Sequence, residues 1–150
     1  MESYMVSHLR VDFKILVRRT PERVYEAMTT AKGLDGWFTT NSIVNALAGG
    51  SIRFRWKDWG PEKYTGENGG PVLEAVWPSR FVFQWKSDSG LSVTTVEIDF
   101  TPVEDGTVVR LQEGGFQDSP EGMRDVLNRS AGWGEALTLM KFFVEHGIRY

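Results

Sequence analysis

The chain has 150 residues, 41% hydrophobic and 25% charged, with a formal net charge of −3 at pH 7. That composition suits one globular domain burying roughly 70% of its unfolded surface, and it argues against a nucleic-acid binder, which needs a basic face. Cysteine is absent, which excludes disulfides, thiolate metal sites and cysteine nucleophiles, while six tryptophans lift the aromatic share to 13% and ask for a structural reason.

The segment from Met1 to Arg10 holds Glu2 and His8 and no apolar core of signal-peptide length. No run approaches the roughly 20 apolar residues of a membrane span. The expected location is therefore the cytoplasm. Val11, Phe13, Ile15 and Val17 then alternate with Asp12 and Lys14, the period-two pattern of a half-buried strand. Thr20-Pro21-Glu22 opens a helix with a hydroxyl cap, a proline in the first turn and a carboxylate at the positive dipole end. Val24, Ala27 and Met28 form its apolar face, Gly33 stops it, and Leu34 to Phe38 reads as a short second helical turn.

A meander follows, with strands expected over 39–45, 51–57, 72–77, 80–86, 92–101 and 107–116. Gly49-Gly50, Pro78-Ser79, 87–90 and Glu104-Asp105-Gly106 are the turn signals between them. The stretch 58–70, rich in glycine and charge, reads as a long loop. The last helix is expected from Ser119 to Gly147, opened by Ser119-Pro120-Glu121 and closed by His146-Gly147. Its apolar stripe is Trp133, Leu137, Met140 and Val144, and Gly132 and Gly134 suggest a wall approaching closely, at a helix cost of about 1 kcal/mol each. A lone helix cannot bury such a stripe, so the strands must curl around it. The expectation is an α+β domain over residues 1–150: a curved antiparallel sheet, two short helices after the first strand, and a long C-terminal helix.

That order resembles the START-like, or helix-grip, superfamily, which also holds polyketide cyclases and plant pathogenesis-related proteins of the Bet v type. Within it the chain resembles homologues of the activator of the heat-shock-chaperone ATPase. The residues that carry the likeness are Thr20 to Thr29, Gly36-Trp37-Phe38, Phe81-Val82-Phe83-Gln84-Trp85, Gly106-Thr107 through Gly115-Phe116, and Gly132-Trp133 with Leu137. The resemblance implies an internal apolar cavity. It also implies roles that range from lipid carriage to ring-closing chemistry, and its name implies a chaperone partner, for which no separate region of the sequence stands out.

Aromatic residues supply the expected lining. Trp37, Phe54, Trp56, Phe83, Trp85, Trp133, Leu137 and Met140 are the candidate ligand-binding residues, enclosing roughly several hundred Å³ as small-ligand sites do. The competing reading is a solid core, in which the same rings supply buried area. Glu113 is the candidate polar member of the site. Alternation through Val109 and Leu111 puts it on the inner face, where it could orient a ligand hydroxyl or act as a general acid–base; a face switch at Gly114-Gly115 would instead leave it in water.

Other groups are read as surface. Glu97 and Asp99 alternate with apolar neighbours and point outward, as do Arg53, Arg55 and Lys57. Arg18, Arg19 and Arg23 cluster where the first helix begins. His8 and His146 have no metal-ligand spacing, so no metal or cofactor is expected. No G-x-S-x-G elbow occurs, and Gly132-Trp133-Gly134 lacks the third glycine of a dinucleotide site. The leading expectation is a small hydrophobic or amphipathic ligand held between sheet and helix. The alternatives are a cyclase or dehydratase acting on a bound ring, and a chaperone-activating interaction domain. Ile148 and Tyr150 are apolar enough to seal a second copy, which makes a homodimer a further expectation.

Overall fold

The computed structural model describes residues 5–150; the first four, at the start of the segment read above for a leader, lie outside the described residues. The element order is β1 (Val11–Val17), α1 (Pro21–Thr29), α2 (Ala31–Trp37), β2 (Ile43–Val44), β3 (Ser51–Trp59), β4 (Tyr64–Val76), β5 (Arg80–Lys86), β6 (Val93–Val103), β7 (Gly106–Gly114) and α3 (Pro120–His146). Seven strands form one antiparallel sheet in the order β1-β7-β6-β5-β4-β3-β2. β1 beside β7 forms one edge of the sheet and β2 the other, and the curved inner face wraps α3. This is the expected α+β helix-grip architecture.

The helix ends follow from their caps. Thr20 and Ser119 each accept a backbone N–H of the first turn, from Arg23 and Gly122 respectively, and each is followed by proline. Gly147 ends α3 in the left-handed region at φ 69°, its N–H returning to the Phe143 carbonyl at 2.8 Å. Along α3 the buried stripe is Val126, Arg129, Trp133, Leu137, Met140 and Val144, at spacings of three and four. One of the six is an arginine.

The segment 58–70 departs from its expected loop. β3 runs on to Trp59, the chain turns at 60–63, and β4 begins at Tyr64, pairing with β3 through Gly66, Gly69 and Gly70. The glycines are there because backbones crowd. A Cβ at Gly69 would overlap the Ile52 carbonyl oxygen, and one at Gly70 the Gln84 carbonyl oxygen. Asn68 extends the pairing with its side chain, donating to the Lys86 carbonyl at 2.9 Å and accepting the Lys86 N–H at 3.1 Å. Gly69→Ala should therefore lower stability by about 1–3 kcal/mol, read as a shifted urea midpoint. A midpoint equal to that of the unaltered chain would show that the strand tolerates a side chain there.

The end of α3 is strapped to the chain entering α1. The Glu145 carboxylate accepts the Arg18 N–H at 2.8 Å and the Lys141 ammonium at 2.7 Å; Lys141 also donates to the Leu16 carbonyl and Arg19 to the Glu145 carbonyl. Burial pushes the Glu145 carboxyl upward, but the Lys141 ammonium, the Arg18 amide and nearby His146 outweigh it and hold the group below the ordinary glutamate value of 4.5. A lowered folded-state value contributes stability above pH 4.5 that is lost as pH falls through the folded value. Glu145→Gln is expected to be less stable than the unaltered chain at neutral pH, with the gap closing below pH 4.5. Thermal melts across that range check it; a constant gap would refute the linkage.

The exposed charges pair across the outer face. Arg80 meets Glu74 and Asp99, both at 2.9 Å, and Glu97 at 3.7 Å, while Arg53 and Arg55 meet Glu67 at 3.1 and 3.5 Å. Glu97 and Asp99 are thus surface ion-pair members, as their alternation predicts. No helix among the described residues is long and apolar enough to cross a membrane.

Candidate functional site

The inner faces of β5, β6 and β7 place Trp85, Thr94 and Glu113 side by side. Trp85 and Thr94 are direct partners across the sheet, and Glu113 lies opposite Val96, two residues along from Thr94. Glu113 is fully buried. Its Oε2 accepts the Trp85 indole N–H at 2.9 Å, the Thr94 hydroxyl at 2.6 Å and the Arg129 guanidinium; its Oε1 accepts the Trp133 indole N–H at 2.8 Å. Four donors, one each from β5 and β6 and two from α3, converge on one carboxyl group of β7. Arg129 also donates to the Lys86 carbonyl at 2.9 Å and to Asp88 at 3.1 Å, and its guanidinium carbon sits 4.6 Å from the centre of the Trp85 ring.

This hub bolts α3 to the sheet and sets two indoles in fixed orientation. Trp85 and Trp133 have ring centroids 5.5 Å apart. Phe54 contacts Trp85 at 4.8 Å, and Phe38 contacts Trp133, Trp56 and Trp59 at 5.8, 5.3 and 5.5 Å. Buried-pair desolvation in such a cluster is offset only by complete hydrogen bonding, which the four donors provide.

Beyond this aromatic plug lies an open cleft of about 800 Å³. The β3–β4 hairpin, the β5–β6 turn and the middle of α3 enclose it, and its rings are Phe38, Trp56, Trp59, Tyr64, Trp85 and Trp133. Gly132 opens the helix side: a Cβ there would meet nothing within 4 Å. At Gly134 a Cβ would make an ordinary contact of 3.5 Å with the Phe13 ring. The expectation that both glycines admit a close wall is thus corrected. Gly132 faces free space, and tight packing falls instead at Gly36, where a Cβ would overlap the Phe143 ring. A second depression, about 420 Å³ between α1 and the end of α3, is edged by Arg23, Glu26 and Lys32 and lies away from the hub.

Of the residues singled out from the sequence, the structure brings Trp56, Trp85 and Trp133 to the cleft wall. Trp37, Phe54, Phe83, Leu137 and Met140 sit in the packed core, Trp37 donating its indole N–H to the Ala27 carbonyl at 2.9 Å. Glu113 lies behind the wall. Alternation places it inside, as read, and the donors it needs are all present, so no oxygen of Glu113 is left facing the cleft without a partner. Sequence reading misses Arg129, Phe38, Trp59 and Tyr64. An arginine in register with Trp133, four residues on, was the available signal for the first. The indole N–H groups of Trp56 and Trp59 are buried and have no acceptor among the described residues.

The model of the family described as "Activator of Hsp90 ATPase homolog 1-like protein" matches residues 18–145, and the chain belongs to that family. No curated protein sequence gives a significant match. Solved structures share the fold. A crystal structure of a Rhodobacter sphaeroides protein is 24% identical, with a TM-score of 0.76 over 95% of this chain and 98% of that one. The solution structure of the Aha1 dimer from Colwellia psychrerythraea is 22% identical, with a TM-score of 0.74 over 93% and 98%. DynU16, described as a putative protein in the dynemicin biosynthetic locus, is 20% identical with a TM-score of 0.78, covering 94% of this chain and 49% of that chain.

Proposed function

We propose that the chain is a binding module, one domain across its 150 residues, that takes a small apolar or amphipathic molecule into the cleft between sheet and α3. The observation that carries this reading is the cleft itself: about 800 Å³, walled by six aromatic residues on a rigid support. A ligand burying about 200 Å² of apolar surface there would gain roughly 5 kcal/mol before ordering costs. Membership of a fold family whose relatives include a biosynthetic-locus protein fits a role in handling small molecules.

The cyclase or dehydratase reading needs an acid–base group turned toward the substrate. Glu113, the candidate for that role, is turned toward its four donors and away from the cleft. The geometry gives this residue a structural part and favours the binding reading over one with Glu113 as acid–base. Chaperone activation and a homodimer like that of the Colwellia protein stay as alternatives named by resemblance. Tryptophan fluorescence, titrated with fatty acids, sterols and aromatic polyketides, should change saturably for at least one class, because four cleft indoles would sense it. Flat titrations with all three, together with native mass spectrometry of fresh protein showing no co-purified molecule, would count decisively against the module.

A further inference from the structure

The cleft's charge is as lopsided as its walls are aromatic. Glu62, Glu67, Asp88 and Glu135 line it, against Lys86 and Arg129. Arg129 is spent inward: it neutralises Glu113 and also holds Asp88 and the Lys86 carbonyl. Glu67 is held from behind by Arg53 and Arg55. The charges left without an ion pair among the described residues are the exposed Glu62, Glu135 and Lys86. Glu135 projects from α3 toward the hairpin tip, where its Oε1 would come within 3.6 Å of a Cβ at Gly60. One carboxylate on the helix and one on the hairpin thus flank the mouth.

Two features of the wall complement that rim. The Arg129 guanidinium already covers the Trp85 ring at 4.6 Å, a cation–aromatic pairing of the kind that the other indoles of the lining, Trp56, Trp59 and Trp133, would offer an occupant. Trp56, only 9% exposed, has an indole N–H with no acceptor among the described residues, and an ether or carbonyl oxygen on an occupant would supply one as the ring adjusts.

We propose that the cleft selects a positively charged, flat organic ligand, an aromatic amine or quaternary ammonium, with its ring on the tryptophan wall and its charge beside Glu62 and Glu135. This rests on the binding-module reading and adds the sign of the ligand's charge. An anionic ligand would meet two unpaired carboxylates against the single ammonium of Lys86, and a neutral one would gain only from ring burial.

The test uses three probes that share a naphthalene ring and an ether oxygen and differ in charge: β-naphthoxyethyl-trimethylammonium, β-naphthoxyethanol and β-naphthoxyacetate. Isothermal titration calorimetry of the full chain should find the ammonium probe about tenfold tighter than the alcohol, and the acetate weakest. Added salt should narrow the order, since the rim carboxylates are exposed. Glu62→Gln with Glu135→Gln, both surface changes checked for folding by circular dichroism, should shrink the gap between ammonium and alcohol by several-fold. Equal or tighter binding of the alcohol or acetate overturns the charge preference and leaves the module standing. A preference unmoved by the double variant removes the rim from the explanation and overturns the proposal. Binding of none of the three overturns the charge proposal, while the fluorescence titrations and native mass spectrometry decide the module separately.

Discussion

Replacing Glu113 by alanine should cost about 3–5 kcal/mol of stability, the range for removing one partner of a buried ion pair. The cause is what stays behind. The Arg129 guanidinium loses its compensating charge, and the indole N–H groups of Trp85 and Trp133 and the Thr94 hydroxyl lose their acceptor at once. Glu113→Gln keeps the shape and one acceptor oxygen but turns an NH₂ group toward a donor, so it should fall between the two. Urea denaturation measures both. A catalytic residue on a robust scaffold behaves in the opposite way, since its removal spares the unfolding midpoint. A midpoint for Glu113→Gln equal to that of the unaltered chain would therefore dismiss the hub as the bolt between helix and sheet. Pairing Glu113→Leu with Arg129→Met should recover much of the loss, because no unpaired charge then remains inside.

Gly132→Phe should weaken ligand binding by about tenfold or more while leaving stability unchanged or slightly raised. The new side chain starts in open space and grows into the cleft, and any side chain other than proline improves on glycine's helix propensity by up to about 1 kcal/mol. Loss of binding without loss of fold separates occupation of the cleft from damage to the core, which deletion of Trp85 or Trp133 cannot do. Titration of the variant with whichever probe binds the unaltered chain gives the answer, and undiminished affinity would put the ligand elsewhere on the molecule.

Much of this was legible in the residues. Serine or threonine followed by proline marked the start of α1 and α3, Gly147 marked the end of α3, and strand alternation carried Glu113 to the inner face. The hairpin over the cleft was not legible, because glycine in a chain reads as flexibility unless the opposing carbonyls of Ile52 and Gln84 are in view. Gly132 misled for a related reason: a missing side chain looks the same whether it faces a wall or a void. Arg129 was hidden by its type. An arginine on a long helix reads as solvated, and only its contact with Glu113 shows why it sits in register with Trp133 and Leu137. Residues at element ends, Phe38 and Trp59 among them, reach the cleft through turns whose direction local patterning does not encode.

The convergence on Glu113 also bears on the order in which the chain can assemble. Glu113 and Arg129 are 16 residues apart, whereas Asp12 and Arg110, which join the first strand to the last, are separated by 98. Loop-closure entropy grows only logarithmically, yet this difference amounts to about 1.6 kcal/mol in favour of the shorter contact. The C-terminal half can thus draw its own strands and rod together early, leaving the N-terminal strand to zip onto a surface already in place.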